Sequence, residues 1–256
     1  MYFSSQKRIN RRPRMEDDCR CAQLRTKGMF FSDLFIIAVA DGVGQCARSD
    51  EAASLALLYF FQDCLRFLFE EEEAFAGAAD AAARKQLIGQ WCETQALQNV
   101  NRQLLATFPP DERIGTTLSA AIAFDGQAFL CAAGDSPVYL LRGDVPERQL
   151  ELDHLEGRRS MLTQCLGMPD ILPHYKSFPL QTGDLLLAGS DGAFGTLDDD
   201  AIGTCLAQGH VQERGYLLRL FDEAARETED NQAAALLCID GLWQTLDERG
   251  NSDELI

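Results

Sequence analysis

Four short segments of the chain bring acidic side chains to places where a strand ends or the backbone turns: Glu16-Asp17, Asp41-Gly42, Asp191-Gly192 and Asp230-Asn231. Oxygen ligands grouped without histidine or cysteine select hard divalent cations, Mg²⁺ or Mn²⁺, over zinc, whose sites draw on nitrogen and sulfur. The three histidines, His154, His174 and His210, have no ligand spacing, and the nine cysteines include no Cys-x-x-Cys pair. Glycine after Asp41 suits a backbone that must approach an ion closely. Taken singly, each Asp-Gly pair also reads as an ordinary turn, and Asp125-Gly126 and Asp240-Gly241 are assigned to turns outright.

These groups need elements to hold them. Leu34 to Ala40 is a run of branched and aromatic residues that ends at Asp41, so it predicts a buried strand delivering a carboxylate. Leu185 to Leu187 repeats the device ahead of Gly189-Ser190-Asp191-Gly192. Ser49-Asp50-Glu51 suits a helix start, and Ala52 to Phe69 is apolar on nearly every face, as in a helix sandwiched between layers. The stretch 74–84 reads as a loop or frayed helix. Leu87, Ile88, Trp91, Leu97, Val100, Leu104 and Leu105 mark one amphipathic helix that stops before Pro109-Pro110.

Alternation from Leu118 to Phe124, the Asp125-Gly126 turn and a return over Ala128 to Ala133 predict a hairpin. Gly134-Asp135-Ser136-Pro137 interrupts it, Val138 to Arg142 resumes, and Gly143-Asp144 turns again, which reads as an antiparallel meander. Helical patterns at about 199–208 and 211–228 and a last strand over Ala233 to Ile239 complete the chain. With no repeat and no linker, residues 1–243 read as one α+β domain, and 244–256 as an acidic C-terminal tail.

The chain has 256 residues, with 23 Lys and Arg against 40 Asp and Glu, a net charge of −17. That balance excludes general binding to nucleic acid or to an anionic membrane, and it favours a monomer. Its 46% hydrophobic and 25% charged residues are those of a globular protein rather than a disordered one. No apolar run approaches the length of a membrane span, and no apolar signal core follows the N-terminal charges. Cysteines scattered singly through apolar stretches fit a reducing, cytoplasmic location. Lys7, Arg8, Arg11, Arg12 and Arg14, judged by spacing alone, read as a solvated basic tail.

The local contexts of the acidic segments carry a resemblance. RPRMED (Arg12 to Asp17), VADGVG (Val39 to Gly44), GTTL (Gly115 to Leu118), AGDS (Ala133 to Ser136), LGM after LTQC (Leu162 to Met168), GDLLLAGSDG (Gly183 to Gly192) and Asp230-Asn231 follow in order. In this order and at these separations they resemble the metal-dependent PPM class, the type 2C protein serine/threonine phosphatases, in a bacterial-like form, over roughly residues 8–240.

The resemblance implies a four-layer α-β-β-α sandwich, two antiparallel sheets flanked by helices, with two Mn²⁺ or Mg²⁺ ions and a weaker third in a cleft at one sheet edge. It implies that Asp41 bridges the two ions, that the Gly42 carbonyl binds one, and that Asp191 and Asp230 bind the other. Glu16 and Asp17 would hold metal-bound waters, Asp135 would contribute to the third ion, and Arg12 would clasp the substrate phosphate. The implied activity is hydrolysis of phosphoserine and phosphothreonine in a phosphorylated protein. Physical chemistry agrees: two ions about 3.5–4 Å apart acidify a shared water and neutralise phosphoryl oxygens, and a guanidinium offers a two-pronged grip on phosphate that lysine does not.

Several positions depart from the family pattern. Val43 stands where some members carry a His that protonates the leaving group; Pro137 replaces a common Arg, and Gln45 a common Gly. The last motif reads DNQAA where a Thr is usual. The segment between Leu141 and Leu162 is short, so the flap beside the cleft is expected to be reduced. Two other readings stay open, a catalytically silent binding module on the same scaffold and a phosphatase of small phosphate esters.

Overall fold

A computed structural model describes residues 1–24, 33–70, 80–143, 145–155, 158–207 and 216–240. Leu34–Asp41 forms strand β3, and its residues divide by parity. Phe35, Ile37 and Val39 pack toward a second sheet, whereas Leu34, Ile36, Ala38 and Ala40 pack toward helices. A strand covered on both faces reads as a continuous apolar run, which is why this one was legible. Its sheet has the order β10 (His174–Pro179), β5 (Gln127–Ala133), β4 (Leu118–Phe124), β3, β2 (Asp17–Leu24), with every pair antiparallel.

The second sheet has the order β1 (Tyr2–Arg8), β12 (Gln232–Cys238), β11 (Leu185–Gly189), β6 (Val138–Arg142), β7 (Val145–Arg148), also antiparallel. Leu186, Ala188, Ala235 and Leu237 meet the first sheet, and Leu185, Leu187, Ala234 and Leu236 face outward under helices. A short pair, β8 (His154–Leu155) with β9 (Arg158–Leu162), lies outside both sheets. Helices α1 (Ser49–Glu70), α2 (Ala81–Thr94) and α3 (Ala96–Thr107) cover the first sheet. Helices α4 (Asp191–Phe194), α5 (Asp199–Ala207) and α6 (Tyr216–Ala224) cover the second, through Ile202, Leu217, Leu220 and Phe221. The result is the expected four-layer α-β-β-α sandwich. No described helix is long and apolar enough to cross a membrane, and all nine cysteines are free.

Several local expectations are corrected. The basic N-terminal stretch is no tail: β1 pairs with β12 along its length, and Lys7, Arg8, Arg11 and Arg12 reach Asp18, Asp222, Glu229 and Asp230 at 2.6–3.0 Å. The single helix expected over residues 87–105 breaks at Gln95, whose ψ of −43° comes with a φ of −127° outside the helical range. Asp80 caps α2 by accepting from the Ala83 N–H at 2.9 Å, so residues 81–84 are helical rather than frayed. Helix α1 is covered on one face only, with Leu58 and Leu65 still 36% and 39% exposed.

The expected meander is instead a change of sheet, because β5 belongs to the first sheet and β6 pairs with β11 in the second. Gly134, at φ +109°, turns the chain across, and Pro137 has no N–H with which to continue the ladder. The Asp125-Gly126 turn is as expected, with φ of 44° and 74°, the signature of a type I′ hairpin. Residues 74–79 of the stretch 74–84, Asp144, residues 208 and 211–215 of the two late helices expected, the Gly241 of the second turn and the tail 244–256 lie outside the described residues.

Candidate metal centre

The pairing of β2 with β3 sets Asp17 directly opposite Asp41 at the end of the ladder. Asp41 is fixed through its backbone: its N–H donates to Thr117 Oγ1 at 3.0 Å, and its carbonyl accepts from the Thr117 N–H at 2.8 Å and from Thr116 Oγ1 at 3.0 Å. Beyond it the Gly42 N–H donates to the Glu16 carbonyl at 3.0 Å, and the Val43 N–H to the Gly115 carbonyl at 2.9 Å. A Cβ at position 42 would lie 2.6 Å from the Ser49 carbonyl oxygen and 2.8 Å from that of Glu16, so only glycine fits the crossing. Glu16 is held in turn, its Oε1 accepting from Ser49 Oγ at 2.5 Å and its N–H donating to Asn231 Oδ1 at 2.7 Å.

The second sheet supplies the other carboxylates. Ser190 and Ala233 exchange hydrogen bonds at 2.9 and 3.0 Å, which fixes the point where β11 gives way to α4 and Asp191 begins the helix. Asp230 precedes β12; its Oδ1 accepts from the Asn231 N–H at 2.9 Å and its Oδ2 from Arg12 Nη2 at 2.7 Å. A Cβ on Gly192 would fall 1.8 Å from the Asn231 carbonyl oxygen, which shows how closely the Asp191 and Asp230 segments approach. Asp135 stands in the sheet-crossing turn. There Ser136 Oγ meets Thr117 Oγ1 at 2.6 Å, and Asp153 Oδ2 accepts from the Gly134 N–H at 2.8 Å. Glu16, Asp17, Asp41, Gly42, Asp135, Asp191, Asp230 and Arg12 thus line one open groove of about 720 Å³.

Charge is poorly balanced there. The carboxyls of Asp17, Asp41 and Asp191 are close enough to act on one another's charge. Burial first, then Asp191 and Asp230, push Asp17 up to about 7, with Ser190 opposing. Asp41, partly accessible from the groove but otherwise walled by protein, is held well above the usual carboxylate range by desolvation and by Asp17 and Asp191. Asp135 is pushed up to about 7 by burial and Asp191, and Asp191 is raised by desolvation with Asp230 adding to it. The adjacent Asp18 makes the contrast: equally buried, it meets Lys7 at 2.7 Å and Arg20 at 3.5 Å.

Among the described residues no three Asp, Glu, His or Cys side chains close around a common point as a finished ion site, and Asp230 is engaged by Arg12. The residues nonetheless suit divalent cations. Asp17 Oδ2 is buried without a hydrogen-bond partner. Adjacent carboxylates raise one another's proton affinity, as happens where a cation is the missing partner. The donors are oxygen throughout, and the Gly42 backbone is bare at the centre.

Every site residue named from sequence lies at this groove. Sequence reasoning gave no part in the site to Ser49, Thr116, Thr117, Ser136, Asp153 or Asn231, which hold the carboxylate-bearing turns. Thr116, Thr117, Ser136 and Asn231 stood within motifs already noted, but their partners depend on pairing between distant strands.

Comparison with known proteins follows the same outline. Residues 13–239 match the family model described as Protein phosphatase 2C. The serine/threonine phosphatase stp of Listeria innocua is 28% identical over 179 residues, which cover 61% of this chain and 66% of that relative's length. Among solved structures, the PPM Ser-Thr phosphatase MsPP from Mycobacterium smegmatis, in complex with cacodylate, superposes with a TM-score of 0.68 at 23% identity, over 93% of this chain and 98% of its own. The catalytic domain of serine threonine protein phosphatase PstP, in complex with two manganese ions, gives 0.69 at 20% identity, over 92% and 96%. At such identities the superpositions speak for the fold alone. On the match over residues 13–239, the chain belongs to the protein phosphatase 2C family.

Proposed function

We propose that the chain hydrolyses phosphoserine and phosphothreonine in proteins with two divalent ions, Mn²⁺ or Mg²⁺, held in the carboxylate centre. The observation that carries this reading is the gathering of carboxylates at the end of two sheets, with Asp17 buried, Asp41 and Asp135 half-buried and Asp191 open to the groove, all with raised proton affinity. Asp41, the Gly42 carbonyl, Asp191 and Asp230 would hold the ions. Glu16 and Asp17 would hold the water around them, and Asp135 would serve a weaker third ion. When bound, the ions supply a water acidified and aimed at phosphorus, together with positive charge for the phosphoryl oxygens.

The chain's own groups do the rest. Arg12 is about half exposed and bound through one nitrogen to Asp230, so its remaining N–H groups are free to meet a phosphate while Asp230 keeps the fork in place. Thr116 and Thr117 fix the Asp41 backbone, and Ser49 fixes Glu16, so the carboxylates are set before substrate arrives. Val43 contributes no proton, so the leaving alkoxide is not served by an imidazole at that position. The scaffold reads as one catalytic domain over 1–243, working as a monomer in the cytoplasm. A silent module would not need Asp41, Asp191 and Asp230 together, and all three are present. The test is hydrolysis of a phosphothreonine peptide with Mn²⁺, with Mg²⁺ and with excess chelator. Turnover that needs the metal supports the reading, and no turnover in folded protein that binds Mn²⁺ rejects it.

A further inference from the structure

The groove does not stop at the carboxylates. The same cavity runs over Leu105, Pro109 and Pro110 at the end of α3, and over Met168 and Pro169 in the segment after β9. This ledge is tied down. The Met168 carbonyl accepts from Asn101 Nδ2 at 2.8 Å, the Gly167 N–H donates to Asn101 Oδ1 at 2.7 Å, and Asn101 is itself only 2% exposed. Gly167 sits at φ +97°, where a Cβ would come within 2.6 Å of the Ile114 carbonyl oxygen. Leu105 and Met168 are nevertheless each 39% exposed, which leaves fixed apolar surface open inside the cavity.

Arg113 belongs to the same loop, two residues before the Gly115 carbonyl that binds Val43. Its neighbour Glu112 is taken by Arg48 at 3.3 Å, and Arg48 lies over the Phe108 ring at 4.7 Å. Two cations line the groove, and Arg12 is bound to Asp230. Arg113 is exposed and makes no ion pair among the described residues. In a chain of net charge −17, a cation left alone beside so many carboxylates marks a place for an anion from outside.

We propose that Arg113 and this ledge form a substrate-selecting subsite for the polypeptide flanking the phosphoresidue. An apolar side chain lies against Leu105, Pro109, Pro110 and Met168, and an Asp or Glu side chain meets Arg113. Continuity of the cavity with the carboxylate centre and the charge of Arg113 identify the occupant. The assignment rests on the phosphatase reading.

Steady-state kinetics in Mn²⁺ test it, with wild type, Arg113→Gln and Arg113→Glu acting on p-nitrophenyl phosphate and on phosphothreonine peptides. In the peptides one Glu is moved through the flanking positions beside a Leu, and each has a Gln counterpart. At one position or more, wild type should show a KM roughly fivefold lower for Glu than for Gln, as an accessible ion pair gives. The gap should vanish in Arg113→Gln and reverse in Arg113→Glu, with p-nitrophenyl phosphate unaffected throughout. No Glu–Gln gap at any position, a gap that survives Arg113→Gln, or an equal rise in KM for p-nitrophenyl phosphate would overturn the subsite. Should wild type cleave none of these esters, the phosphatase reading fails by itself. Anisotropy of the same labelled peptides on Mn²⁺-loaded protein, where the same gap or its absence appears in Kd, then decides the subsite.

Discussion

Replacing Asp17 by Asn should stabilise the metal-free protein at neutral pH while it harms metal-supported turnover. Asp17 is 4% exposed, one of its oxygens has no partner, and burial raises its pKa from 3.8 to about 7. The sign follows from proton linkage: the folded state keeps a proton that the unfolded chain has released. The group's contribution is therefore full below about pH 4 and lost as pH rises through about 7. A gap of about three units, at about 1.4 kcal/mol each, makes this loss about 4 kcal/mol. That is an upper bound, since water entering the groove screens part of it. For a domain of this size it corresponds to a Tm difference on the order of 10 °C. The assay is thermal unfolding in excess chelator from pH 4 to pH 8. The two proteins should unfold together at pH 4, and Asp17→Asn should lead increasingly as pH rises. Mn²⁺ at pH 8 should lift wild type the more, by binding the folded state alone. Parallel curves, with a Tm difference that does not change with pH, would refute the picture of an uncompensated buried charge.

Asp41→Asn should leave the fold intact by circular dichroism and lower kcat by about 10³-fold or more at saturating Mn²⁺, on the scale of a lost electrostatic centre; wild-type kcat in that variant would remove Asp41 from the site. Arg12→Ala should act chiefly on KM, with Arg12→Lys an incomplete rescue because an ammonium has no fork. The pH profile of kcat should lack a falling limb near about 6–7, the imidazole range. A limb there that disappears on mutating His174, which bonds Asp153 at 2.8 Å, would mean that a histidine does the work Val43 does not.

The carboxylates were legible in sequence because each is delivered locally, at the end of an apolar run or inside a short motif that needs no distant partner to be recognised. The fold was legible where both faces of a strand are buried, as in β3, β4 and β11. It was not legible at the sheet edges. β2 and β10 carry half-exposed polar residues, and the N-terminal stretch reads as a charge run because Arg8, Arg11 and Arg12 find their partners far along the chain. The sheet change at Gly134 to Pro137 resembles a turn in a meander until the partner of β6 is known. Asn231 is the clearest case: its side chain joins the Ile9 carbonyl to the Glu16 N–H, contacts more than 200 positions away in sequence.

That last connection bears on how the protein is made. Arg8, Asn10, Arg11, Arg12 and Glu16 all bind partners between Asp222 and Gln232. On the ribosome the first strand has nothing to pair with until the last one emerges, and such long loop closures are the slow steps of folding. The groove therefore lacks Asp230, and the grip on Arg12, until synthesis has passed residue 232. A nascent or prematurely ended chain would lack both the partner of its first strand and Asp230, and so a complete centre.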